Sequence, residues 1–321
     1  MPAPVTHYIF AKSVENEIAE KYGDFSFSKA AFYYGTQGPD FLFSHKAWRL
    51  AWGGENLIAL GSELHHTCPS KMFALMKEYL ENEPCDRDLI KSYIYGFLAH
   101  YALDRNAHPL VYAVQKAYTK AFSLEHYQSI VVHNQIEMNI DTMLLKSELG
   151  CKSGIDFRLY NTLDPNPYLI DEISALMAYV VPQTVFCDAT KDDFADAYRD
   201  MRLGQIALND FTGMRRKAVS LIEKPLRKAL GGPLLSSLMR PKDGDNKWDY
   251  MNITHKEWTA PYDSRVKSTK SFMDLFREAQ KDVFGLIDAF NEADAEKAIR
   301  EYSGDLSFDT GVRYDIKEPI A

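Results

Sequence analysis

The segment from Ile90 to His108 carries a helical apolar stripe that turns ionic without changing face. Ile90, Tyr93, Ile94 and Phe97 recur at i, i+3, i+4 and i+7, the spacing of a core-facing helix. Continuing that stripe gives His100, Asp104 and His108. Each step of four residues advances about 6 Å along the axis and about 40° around it, so the three side chains share one face. A carboxylate placed in a core is costly unless it is paired or bound to a metal. An aspartate with a histidine one turn before it and another one turn after can bridge two metal ions.

A second segment repeats the chemistry. His133 and Glu137 stand four residues apart, with Ile130, Ile140 and Leu144 marking the same side of a second helix. One such pair usually solvates a surface. Two pairs that both continue apolar stripes, joined by a third histidine, point to metal. The competing arrangement is a buried His–Asp hydrogen bond plus an exposed His–Glu pair.

The 321 residues suffice for one large domain or two ordinary ones, and 46% hydrophobic with 26% charged residues is an ordinary globular composition. The net charge of −8 argues against a general nucleic-acid binder, which carries a basic surface. It leaves room for a phosphate-bearing substrate if metal ions supply the local positive charge. The segment Met1 to His7 lacks a basic n-region and a long apolar h-region, so no secretory signal is expected, and no apolar run reaches the ~18 residues of a transmembrane span. Cys68, Cys85, Cys151 and Cys187 are scattered without a Cys-x-x-Cys pair, which reads as reduced thiols of a cytoplasmic protein. Any zinc in this chain is therefore expected to be held by nitrogen and oxygen.

The dominant period is helical, and the spacing predicts an all-α chain. Helices are expected over 5–21, 55–66, 70–82, 87–107 and 125–147, then over 168–181, 192–210, 213–230 and 270–291. Gly35 to Asp40 reads as a loop, and Pro109 is expected to end the long helix at His108. Residues 231–269 form a long irregular stretch, of the kind that is functional or wraps the surface. Residues 1–150 are expected to form a metal-binding helical core, with 151–321 as a helical extension packed on it in one compact unit.

Other candidate ligands lie in the first half. His7 opens the first helix, where taken alone it reads as packing on a neighbour, and Asp40 follows Gly38-Pro39, where an aspartate either caps a turn or is presented rigidly toward a metal. His65 and His66 point about 100° apart. The stripe of Leu57, Leu60 and Leu64 favours His65 for the interior. His45 and His126 are expected at the surface. His255, in the loop with Trp258 and Pro261, is a candidate for the rim of an active site. The histidine–carboxylate mixture selects zinc or another first-row metal over magnesium or calcium.

The order His7, Asp40, His65, His100-x-x-x-Asp104, His108, His133-x-x-x-Glu137 resembles the zinc-dependent phospholipase C family. That resemblance implies a multi-helix bundle of the phospholipase C and single-strand nuclease type with a C-terminal helical extension. It implies that Asp40, His65, His100 and Asp104 hold one zinc ion and His108, His133 and Glu137 another. Asp104 is then the bridge, and His7 corresponds to the ligand of a third ion. Secreted members begin with a zinc-binding tryptophan, whereas this chain begins Met1-Pro2-Ala3.

The expectation is a zinc-dependent hydrolase of phosphoric esters. Its ions would acidify a bridging water, and Asp40 would serve as general base. Its partner is a small phosphate ester or a lipid headgroup. The alternatives are a nuclease-like phosphodiesterase and a non-catalytic helical protein with structural zinc.

Overall fold

A computed structural model describes residues 4–47, 55–210 and 212–316. The opening residues Met1 to Ala3 lie outside the described residues. The helices are α1 Pro4–Lys21, α2 Lys29–Gly35, α3 Ile58–His65, α4 Pro69–Asn82, α5 Arg87–Ala121, α6 Ser129–Ser147 and α7 Pro167–Thr184. They continue with α8 Lys191–Leu208, α9 Met214–Glu223, α10 Arg227–Leu230, α11 Leu234–Ser237, α12 Phe272–Asn291 and α13 Ala295–Ser303. Strands β1 Trp258–Thr259 and β2 Lys267–Ser268 pair antiparallel with Trp258 opposite Ser268. The class is all-α. No helix among the described residues is long and apolar enough to cross a membrane.

Helix α5 is the axis of the molecule. Its 35 residues span about 50 Å at 1.5 Å per residue. Asp86 caps its first turn, the carboxylate accepting from the Leu89 N–H at 3.1 Å. Its buried residues run from Leu89 to Gln115, and α1, α2, α6 and α12 pack around it. At one crossing two glycines meet. A Cβ on Gly96 would lie 2.9 Å from the Gly35 Cα, so α2 rests directly on the α5 backbone. On the other side Arg105 of α5 forms an ion pair with Asp282 of α12, and the Asn106 amide donates to the same carboxylate at 2.9 Å.

Several local expectations are corrected. Pro109 does not end the helix, because Leu103, Ala107, Leu110, Val111 and Val114 are buried on both sides of it. That packing outweighs the ~3 kcal/mol cost of an interior proline. The segment expected to be a loop holds the end of α2 and a 3-10 helix, Gly38–Ser44. The helix expected over 213–230 is broken into α9, a 3-10 turn at Lys224–Leu226, and α10, with Pro225 at the break. His45 is buried rather than at the surface, its Nδ1 accepting from the Leu57 N–H at 3.0 Å. Ile130 is exposed rather than on the buried side of α6.

Candidate metal centre

Five segments bring the candidate residues together. Helix α1 supplies His7, the 3-10 helix Asp40, α3 His65, α5 His100, Asp104 and His108, and α6 His133 and Glu137. All eight are buried. His7 is placed by a cap from another helix: Asp141 of α6 accepts from the Thr6 N–H and hydroxyl at 2.7 and 2.8 Å, satisfying free donors at the start of α1. Their ligand-type atoms fall into three groups, each within 4.8 Å: Asp40, His65 and His100; His7, His100 and Asp104; His108, His133 and Glu137.

Asp104 sits at the middle. Its Oδ1 is 3.2 Å from His7 Nε2, and its Oδ2 is 3.0 Å from His100 Nε2 and 3.7 Å from His108 Nδ1. His65 Nε2 lies 3.1 Å from Asp40, and His133 Nε2 lies 3.0 Å from Glu137. The interior thus holds three carboxylates against five imidazoles.

Four of the histidines present Nε2 to this interior because Nδ1 is occupied. His65 Nδ1 donates to the Gly61 carbonyl at 2.7 Å, His100 to Thr36 at 3.1 Å, and His108 to Phe308 at 3.0 Å. A carbonyl can only accept, so each Nδ1 carries the proton and each Nε2 keeps its lone pair when the ring is neutral. His133 Nδ1 meets the Gln115 side-chain oxygen at 2.9 Å. The Gln115 amide nitrogen donates to Ser129, which fixes its orientation. This outer arrangement is what metal-ligating imidazoles require.

Thr36 reaches His100 because the Gly35–Gly96 contact sets α2 directly against α5. His100 also needs room at Gly38, which adopts φ +53°; a Cβ there would lie 2.5 Å from His100 Nε2. The imidazoles of His7 and His100 stack with centroids 4.2 Å apart.

Burial pushes the Asp104 carboxyl up, yet the flanking His100, His108 and His7 pull it well below the usual carboxylate range. Burial likewise opposes ionisation of Glu137, but His133 and His108 bring it to about 2. Burial disfavours the His65 cation, but the Asp40 carboxylate beside Nε2, with Asp309 and Asp104, raises the imidazole to about 9. His108 is raised well above its usual value by Asp104 and Glu137 against the same opposition. Protons on imidazoles therefore balance the carboxylates when no metal does.

The donor set fits zinc. Both Asp40 oxygens, Asp104 Oδ2, Glu137 Oε2 and His100 Nε2 are buried without a hydrogen-bond partner, which is expensive unless a cation takes them. Two ligands ~2.1 Å from one zinc ion are at most about 4 Å apart, close to the groupings present.

His65, His108 and His133 border a cleft of about 280 Å³, which Tyr112 and Asp309 also line. No lysine or arginine is among the described residues lining it. Asp309 stands 3.6 Å from His108 Nδ1 and 3.8 Å from His66 Nε2. Asp309 and Phe308 lay outside every periodic pattern in the sequence. Gln115 did not, since it follows His108 by two helical turns on α5. His66 is exposed at the edge. The structure does not bring His255 to this cluster: exposed and at φ +51°, it donates from Nδ1 to the Thr269 carbonyl at 3.1 Å and lies 3.6 Å from Asp274.

Residues 6–181, more than half of the chain, match the family described as zinc dependent phospholipase C. Neither a curated protein nor a solved structure matches.

Proposed function

The chain belongs to the zinc-dependent phospholipase C family, and from that premise we propose that it is a zinc-dependent hydrolase of phosphoric esters. One observation carries the reading: eight buried imidazoles and carboxylates converge with unpartnered donor atoms, and the Nδ1 atoms of four histidines are already engaged behind them. Asp40, His65, His100 and Asp104 would hold one zinc ion, and His108, His133 and Glu137 a second. Asp104 is shared between them, and His7 with His100 and Asp104 forms a third candidate group. Zinc, when bound, supplies a Lewis acid for the phosphoryl oxygens and lowers the pKa of a nearby water.

The chain's own residues do the rest. Among the described residues lining the cleft no lysine or arginine faces an anionic phosphoryl group, so binding there would draw on cations held by the imidazoles and carboxylates. Asp40, buried in the first turn of the 3-10 helix Gly38–Ser44, would accept the proton of an attacking water. The ring of Phe43, stacked on His65 at 5.6 Å, forms part of the cleft wall beside it. The open cleft favours a catalytic over a structural centre, because structural zinc sites are closed by four protein ligands. The four cysteines are unpaired thiols, which supports a reducing compartment such as the cytoplasm.

The test is metal analysis of the purified protein, followed by assay against bis(p-nitrophenyl) phosphate, p-nitrophenyl phosphate, phosphatidylcholine vesicles and a single-stranded oligonucleotide. The expected result is zinc-dependent ester cleavage that a chelator abolishes and zinc restores. Exclusive cleavage of the oligonucleotide would favour the nuclease-like reading. Inertness toward all four with two zinc ions bound would refute the proposal.

A further inference from the structure

The segment after α13 closes on the metal centre from far along the chain. Residues 303–313 turn back on themselves: the Ser307 N–H donates to the Val312 carbonyl at 2.8 Å, and Leu306 pairs with Arg313 across an antiparallel bridge. The turn is moored by the Tyr101 hydroxyl, which donates to the Leu306 carbonyl at 2.7 Å. A second mooring is Asp305, whose carboxylate accepts from the Ser70 N–H and hydroxyl at 3.0 and 3.1 Å.

Three groups of this turn reach the candidate ligands. The Phe308 carbonyl accepts from His108 Nδ1 at 3.0 Å. The Ser307 hydroxyl donates to the His65 carbonyl at 3.1 Å. The fully buried Phe308 ring lies 5.8 Å from the His65 ring and 5.9 Å from the His100 ring. The turn lies this close because Gly311, at φ +68°, rests on Pro109, the residue after His108; a Cβ there would be 2.5 Å from the Pro109 Cγ.

We propose that residues 303–313, beyond the family-matched segment, are a positioning element of the metal centre that sets the ring orientation of His108 and the placement of His65. This rests on the reading of His108 and His65 as zinc ligands. Two carboxylates also stand near His108 Nδ1, Asp104 at 3.7 Å and Asp309 at 3.6 Å. The Phe308 carbonyl is closer than either, so it takes the Nδ1 proton and leaves Nε2 aimed at Glu137, 3.5 Å away. Loss of that carbonyl frees the ring to turn toward a carboxylate and removes it from the ligand set.

The test uses the full-length protein, with zinc affinity read by competition against a chromophoric chelator and geometry read from the absorption spectrum of the cobalt(II) form. Gly311→Ala pushes the turn off α5. It is expected to weaken zinc at the His108 group about 10- to 100-fold, the usual effect of losing an outer hydrogen bond, and to alter the cobalt spectrum. Adding Pro109→Ala removes the obstructing Cγ and leaves the nearest remaining atom, Cβ, at 3.6 Å, so the double variant should recover part of the affinity, the strain of a side chain at φ +68° remaining. If Gly311→Ala does not fold, Ser307→Ala serves instead, with a changed cobalt spectrum expected. His108→Ala is the reference. If it binds zinc like the parent, the ligand reading fails and the proposal with it. If it loses zinc while Gly311→Ala and Ser307→Ala match the parent in affinity and spectrum, the turn is packing alone and the proposal is overturned.

Discussion

Replacing Gly38 by alanine should damage the metal centre without altering any group that binds metal. Gly38 sits at φ +53°, where a side chain costs roughly 1–2 kcal/mol. Its new Cβ would lie 2.5 Å from His100 Nε2, so the ring must move. His100 is fully buried, stacked on His7 and tied to the Thr36 carbonyl, so any movement disturbs those contacts. An off-rotamer turn costs roughly 1 kcal/mol and the weakened hydrogen bond about another. The sum is about 3 kcal/mol, or a fall in Tm on the order of 4–5 °C. Zinc shared by Asp40, His65 and His100 should bind at least about 100-fold more weakly, beyond the loss of an outer hydrogen bond, while the His108, His133 and Glu137 group keeps its ion. Scanning calorimetry of the chelated protein and metal counting after dialysis against a weak chelator measure both. Gly204→Ala is the control, since its Cβ meets nothing nearer than the Ser44 hydroxyl at 3.9 Å. Parental zinc content and affinity in Gly38→Ala would refute the reasoning.

Three further outcomes are expected. Asp104→Asn should lose more zinc than Glu137→Gln, because Asp104 contacts three imidazoles of two groups and an amide offers one good acceptor; metal analysis showing equal small losses would mark Asp104 as an ordinary hydrogen-bonded aspartate. In the chelated protein the pKa of His65 is raised to about 9 against 6.5 unfolded, so its contribution is complete below pH 6.5 and is lost as pH rises through 9. Urea titrations should then show stability falling over that window, His65 contributing on the order of 3 kcal/mol beside the other raised histidines, and the fall should shrink once zinc replaces the protons; a flat profile for the chelated protein would count against the Asp40–His65 pair. Asp141→Ala removes the cap of α1 and should cost about 1–3 kcal/mol by denaturant midpoint while sparing zinc at His133 and Glu137; an unchanged midpoint would mean the cap contributes nothing.

What could be read from the sequence was whatever has a period. The stripe through Ile90, Tyr93, Ile94 and Phe97 reports the buried face of α5 directly, and the adjacent histidines at 65 and 66 separate because 100° of helix places one inside and one outside. What could not be read is what depends on distant packing. Pro109 signals a helix end locally, and only the buried residues on both sides of it keep α5 continuous. His45 has no periodic neighbours, so nothing local announces that Leu57 will cover it. The contacts made by Phe308 and Asp309 depend on a turn whose sequence, Ser307 to Gly311, looks like any surface loop.

The buttress that Phe308 gives His108 crosses 200 residues of sequence. During synthesis at roughly 5–20 residues per second, the ribosome reaches Phe308 on the order of 10–40 s after His108. All eight candidate ligands emerge long before the carbonyl that steadies one of them. A nascent chain would therefore hold zinc loosely at the His108 group through most of its translation. If the His108 group holds zinc as proposed, firm loading there would wait until residues 303–313 have been made.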